Sequence, residues 1–121
     1  MESRRAPRVP FQTAVRFVIS PRMRTQDGLF MHQIEGQTLD ISTLGIGFES
    51  AVFLPKGTRI CGKMVPKNLG KDRTRAWPFV GTVRSCQVLR GKRLYRLGIN
   101  FERLSKRTTE KIAAYVQNNL A

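Results

Sequence analysis

Histidine and cysteine are nearly missing from this chain of 121 residues, which has one of the first and two of the second. Cys61 and Cys86 stand alone rather than in a Cys-x-x-Cys spacing, and His32 is a single imidazole, so a structural zinc site lacks ligands. Long apolar runs are also missing. None approaches the roughly 20 residues of a membrane-spanning helix. The N-terminus is rich in arginine but has no apolar stretch, which excludes a secretory signal and leaves a reducing cytoplasm with two free thiols as the expected setting. Catalytic signatures are absent too: no suitably placed carboxylate pair, no nucleophile elbow and no GxxxxGK[ST] phosphate loop. The expectation is a protein that is not an enzyme and carries no cofactor or metal.

Acidic residues are scarce, eight against 22 basic ones, for a net charge of +14. Residues 1–55 hold six basic and five acidic side chains, and residues 108–121 hold one of each. Residues 56–107 hold fifteen basic and two acidic, a net of +13. That half either meets an acidic partner, nucleic acid included, or is a solvated surface that keeps a small protein soluble. With 40% hydrophobic and 25% charged residues, the chain reads as one globular domain able to bury a core.

Residues 1–10 contain three Arg and two Pro and little that packs, and they read as an extended arm. The chain divides into an arm over 1–12 and a single domain over 13–121. Val15, Phe17, Val18 and Ile19 predict a strand over 14–19. Residues 20–36 read as a long connection with a short strand near 29–32. From Thr38 to Ser42 the pattern alternates, placing Leu39 and Ile41 on an inner face and Thr38, Asp40 and Ser42 on the outer one. Further strands are expected at 57–65, 79–89 and 94–101, the last two joined around Arg90-Gly91-Lys92. Tyr95, Leu97, Ile99 and Phe101 share one face and are expected to be buried. Ser105 is the N-cap of a helix over about 104–120, whose stripe is Ile112, Tyr115, Val116 and Leu120. The fold class is mainly β: a small antiparallel six-stranded barrel with a C-terminal α-helix packed on an open side.

Two polar motifs carry the functional reading. Arg4-Arg5-Ala6-Pro7-Arg8 is an Arg-x-x-x-Arg pair followed at once by Val9-Pro10, and Asp40-Ile41-Ser42-Thr43-Leu44-Gly45 is an Asp-x-Ser-x-x-Gly run. In this order, with the strand-like Leu97-Gly98-Ile99-Asn100-Phe101 and the terminal helix, they resemble the PilZ family. The resemblance implies a PilZ-like barrel that receives the bacterial second messenger cyclic di-GMP. Arg4 and Arg8 would clamp guanine and phosphate groups, Asp40, Ser42 and Gly45 would form the other wall, and Arg5 would assist. An Arg fork matches guanine O6 and N7 and grips phosphate oxygens in a bidentate way, which Lys cannot reproduce. A carboxylate complements it by accepting from the guanine ring N–H and amine. Gly45 is expected to turn the chain at a backbone geometry other residues resist and to leave room for the ligand.

Plainer readings stand beside these. The plain reading of Asp40 and Ser42 is a turn carboxylate and hydroxyl capping local backbone, against which the Arg pair weighs. Arg103 and Arg107 repeat the Arg-x-x-x-Arg spacing as solvated charge. Trp77 either stacks on a base or packs at a strand entry. The resulting expectation is a cyclic di-GMP receptor whose arm changes conformation on binding and signals to a protein effector in motility, pili, exopolysaccharide synthesis or gene expression. The alternatives are a basic barrel that tracks nucleic acid with residues 56–107 and a PilZ-like adaptor that works without ligand.

Overall fold

The computed structural model describes residues 6–19, 33–66 and 76–120. Over these the chain runs β1 (Val9–Pro10), β2 (Ala14–Ile19), β3 (Ile34–Ile41), β4 (Gly45–Ser50), β5 (Arg59–Val65), β6 (Trp77–Leu89), β7 (Leu94–Arg103) and α1 (Lys106–Asn118). Neighbouring strands pair in the order β3, β2, β5, β6, β7, β4, and β4 returns to β3, closing an antiparallel barrel of six strands. The expected fold class is thus observed. Closure satisfies the strand edges that a small open sheet would expose.

The core follows from period-two alternation. β2 buries Val15 and Phe17, β4 buries Ile46 and Phe48, β5 buries Ile60 and Met64, and β7 buries Leu97 and Ile99. Tyr95 and Phe101, expected to be buried with the last pair, are only half-buried because they sit near the strand ends. Phe101 packs edge-on against Phe79 with ring centroids 5.8 Å apart, and Tyr95 meets the exposed Phe53 at 5.6 Å.

β1 is the extra strand. It lies along the same edge of β3 as β2 does, with Val9 opposite Ile41 and Pro10 opposite Asp40. Val9 and Phe11 are both buried, so the expectation that residues 1–10 hold little that packs is corrected from Val9 onward. The two apolar side chains alternate with Pro10 and reach the core. The chain between β1 and β2 is interrupted opposite Thr38, where β3 itself is irregular. Its register with β4 shifts between Thr38 and Asp40, leaving Leu39 as an extra residue. The bulge overturns the expected alternation. Thr38 and Ile41 are buried while Leu39 is half-exposed, and Asp40 stays on the outer side. Thr38 is tolerated inside because its hydroxyl donates to the Phe11 carbonyl at 2.6 Å and accepts the Thr13 N–H at 2.7 Å.

Ser105 caps α1 by accepting the Thr108 N–H at 3.0 Å. Ile112 and Val116 enter the core, whereas Leu120 lies beyond the helix end and is exposed, so the apolar stripe stops one turn early. Tyr115 packs on Phe11 and Trp77, and its hydroxyl donates to the Pro10 carbonyl at 3.0 Å. Trp77 stacks on Phe11 at 5.6 Å and is buried, which favours its packing role over base stacking. β3 begins at Ile34, so the expected connection ends before residue 36; the short strand expected near 29–32 and His32 lie outside the described residues.

Candidate functional site

Asp40 occupies the last turn of the ladder before β3 ends, just past the bulge that re-aims its side chain. The carboxylate lies over Gly47 of β4, its partner in register, and a Cβ at Gly47 would come within 2.8 Å of Oδ1. A glycine is therefore needed beneath Asp40 for the carboxylate to lie flat on the barrel wall. On one side Arg8 Nε donates to Asp40 Oδ1 at 3.2 Å, and on the other Arg96 Nη2 donates to Oδ2 at 2.9 Å. Both guanidiniums are partly exposed, at 38% and 44%, with the carboxylate at 22%. Exposed pairs of this kind contribute about 0–1 kcal/mol each. They orient the site without locking it.

Ser42 anchors the turn that follows. Its Oγ accepts the backbone N–H groups of Leu44 and Gly45 at 3.0 and 3.2 Å, and Arg8 Nη1 approaches at 3.4 Å. The main chain closes the same turn through Ser42 N–H to the Gly45 carbonyl at 2.9 Å. Ser42 is buried, so its expected place beside Asp40 on the outer face is corrected, and the hydroxyl serves the plain capping role beneath the Arg8 guanidinium. Its lone pairs are committed to these donors, and the hydroxyl proton is what it can still offer.

The expected reason for Gly45 is corrected. Its φ is not in the left-handed region, which among the described glycines is occupied by Gly57 and Gly91. Instead β7 passes so close that a Cβ would fall inside the Ile99 carbonyl oxygen's van der Waals shell, with the carbonyl carbon at 3.1 Å. Gly45 is buried and lets β4 and β7 pair, rather than clearing space in front of a ligand.

The structure therefore brings Arg8, Asp40 and Ser42 together, and it places Gly45 behind them in the wall. Arg4 and Arg5 lie outside the described residues. Sequence reasoning missed Arg96. The signal was present, since residues on β7 alternate and Arg96 falls between the inward Tyr95 and Leu97. Only the barrel's closure, with β4 between β3 and β7, reveals that it faces Asp40. What results is a shallow surface with a glycine floor, one carboxylate and two forked cations that can open toward an anionic, guanine-like ligand. Among the described residues no three His, Cys, Asp or Glu side chains gather as a metal site, and no helix is long and apolar enough to span a membrane.

Comparison with known proteins agrees with this fold. The PilZ domain family model matches residues 2–118. The Bacillus subtilis inhibitor of motility MotI/DgrA superposes with a TM-score of 0.74 at 13% identity, covering 98% of this chain and 51% of that one. The PilZ domain of Escherichia coli YcgR, solved with c-di-GMP, gives 0.64 at 16% identity, covering 98% and 92%. MrkH from K. pneumonia gives 0.66 at 14%, covering 99% and 51%. The chain thus spans about half the length of MotI/DgrA and of MrkH. No curated protein matches it in sequence. A family model matched over nearly the whole chain, together with the closed barrel and the meeting of the two motifs, makes this protein a member of the PilZ domain family.

Proposed function

We propose that this chain is a receptor for cyclic di-GMP, bound on the outer wall of β3 and β4. The observation that carries the reading is that Arg8 and Asp40, from motifs 32 residues apart in sequence, meet at 3.2 Å on an exposed surface. Arg8 swings from Asp40 and Ser42 to a guanine edge or a phosphate. Asp40 then accepts from a guanine N–H and amine, Ser42, uncovered as Arg8 leaves, donates its hydroxyl proton, and Arg96 holds the far side of the carboxylate or takes a phosphate itself. Arg4 and Arg5, on the arm that precedes Val9, complete the clamp.

Arm closure is the proposed signal, read by a protein effector in the cytoplasm. Ordering each arm residue costs about 1–2 kcal/mol, and each bidentate Arg–guanine contact returns roughly 1–3 kcal/mol. The balance suits a reversible receptor in the submicromolar to micromolar range. Complexes of the YcgR PilZ domain and of MrkH with c-di-GMP support the choice of ligand. The test is Asp40→Ala: it retains the wild-type unfolding midpoint within the small worth of its exposed ion pairs and loses cyclic di-GMP binding. Unchanged affinity in Asp40→Ala and Arg8→Ala alike would remove the site assignment.

A further inference from the structure

β6 is the longest strand, and it outruns its neighbour. β5 accompanies it from Trp77 to Thr82, and Val83 still exchanges bonds with Gly57 and Thr58. From residue 84 to 89 it pairs with β7 alone, so the other edge of this segment has no strand beside it among the described residues. The same end of the hairpin carries an apolar face that no described residue covers. Val88 lies opposite Tyr95 on the inward side, past the end of the core, and is 63% exposed. Phe53, from the segment after β4, stands edge-on to Tyr95 and is 54% exposed, and Val52 beside it is 37% exposed.

Charge surrounds this patch. The turn beyond it holds Arg90, Lys92 and Arg93, all exposed, and Lys56 follows Phe53 in the same connection. Lys92 reaches Glu49 at 3.6 Å, while Arg90 and Arg93 have no carboxylate partner among the described residues. A strand edge with no strand beside it and cations with no carboxylate partner, both among the described residues, join an apolar strip to describe one kind of occupant.

We infer that residues 84–89 of β6 form a docking edge for an extended segment of a partner protein that alternates apolar and acidic residues. The segment adds as a strand to β6 through main-chain hydrogen bonds. Its apolar side chains cover Val88 and Phe53, and its carboxylates meet Arg90 and Arg93. A second copy of this chain does not fit, because two chains that each carry a net charge of +14 repel. A membrane surface would meet the cationic tip, residues 90–93, and leave Val88 and Phe53 behind it uncovered. Arg96 of the proposed dinucleotide site stands opposite Gln87 in the β6–β7 ladder, but it turns outward to Asp40. The docking edge is the side of β6 away from β7, and Val88 lies on the inward face, so the inference does not depend on dinucleotide binding.

The test is selection of a displayed peptide library on the full purified chain, followed by affinity measurement of the best peptide on wild type, Val88→Thr and Arg93→Glu. Both positions are exposed, so both variants keep the fold. The expected peptide alternates apolar and acidic residues, binds each variant about tenfold more weakly, and is not displaced by cyclic di-GMP. The inference is overturned by failure to select a binder, by equal affinity for the variants, or by displacement with cyclic di-GMP. It is also overturned if no peptide emerges and oligothymidylate or phosphatidylserine vesicles lose binding in the same two variants, which assigns the hairpin to nucleic acid or to membrane.

Discussion

Replacing Gly45 with alanine separates a structural need from a ligand-binding one. The added methyl enters the shell of the Ile99 carbonyl oxygen, a backbone atom held in the β4–β7 ladder, so no side-chain rotation relieves the overlap. The two strands must part where Gly45 faces Asn100, beside the turn held by Ser42. Overpacking of this kind costs typically 1–3 kcal/mol and more where backbone must move. The loss of glycine freedom in the unfolded chain offsets only about 0.4–1 kcal/mol of that. A net loss of roughly 2 kcal/mol is a large share of the 5–15 kcal/mol that holds an ordinary domain. Trp77 is the single tryptophan and is buried against Phe11, so its fluorescence reports urea unfolding directly. The variant is expected to unfold at a clearly lower urea midpoint with an unchanged slope. A midpoint equal to wild type, with ligand binding alone lost, refutes this account of Gly45 and restores the view that the glycine clears space for the ligand.

Other changes probe the remaining links. Thr38→Val keeps the volume but strands the buried Phe11 carbonyl and Thr13 N–H, and is expected to destabilise by about 1–3 kcal/mol in the same urea assay. Arg96→Ala removes one exposed ion pair, so stability falls by less than about 1 kcal/mol, while affinity for cyclic di-GMP drops markedly; calorimetry on the variant checks both parts. Glu102 accepts from the Thr82 hydroxyl and pairs with Arg59 at 2.9 Å, and these hold its carboxyl below the usual carboxylate range. With the folded-state pKa depressed, the unfolded chain binds more protons in the acid range. The contribution of Glu102 is present above the ordinary pKa of about 4.3 and lost as pH falls through the folded value. Glu102→Gln is therefore expected to lower stability slightly at neutral pH and to match wild type in strong acid, as urea midpoints across pH will record.

Local patterns made much of the barrel legible. β2 and β7 follow alternation that survives in the folded chain, whereas β6 changes phase at the irregularity between Val83 and Ser85. Ser105 starts the helix because its hydroxyl satisfies an otherwise open N–H. Thr38 and Leu39 exchanged faces because a bulge adds one residue, and no local propensity marks that insertion. β1 was hidden because two residues with a proline form a strand only against a partner 30 residues away. Arg8, Asp40 and Ser42 were readable as motif residues, whereas Arg96 joins them only through strand order. Gly45 was visible as an unusual residue, but the reason for it lay in the approach of β7.

Calorimetric titration of cyclic di-GMP into the full chain, beside Arg8→Ala, tests the central claim most directly. The account predicts saturable binding to wild type and none at comparable concentrations to a variant that unfolds at nearly the same midpoint. Absence of heat with wild type, or equal binding by Arg8→Ala, contradicts it.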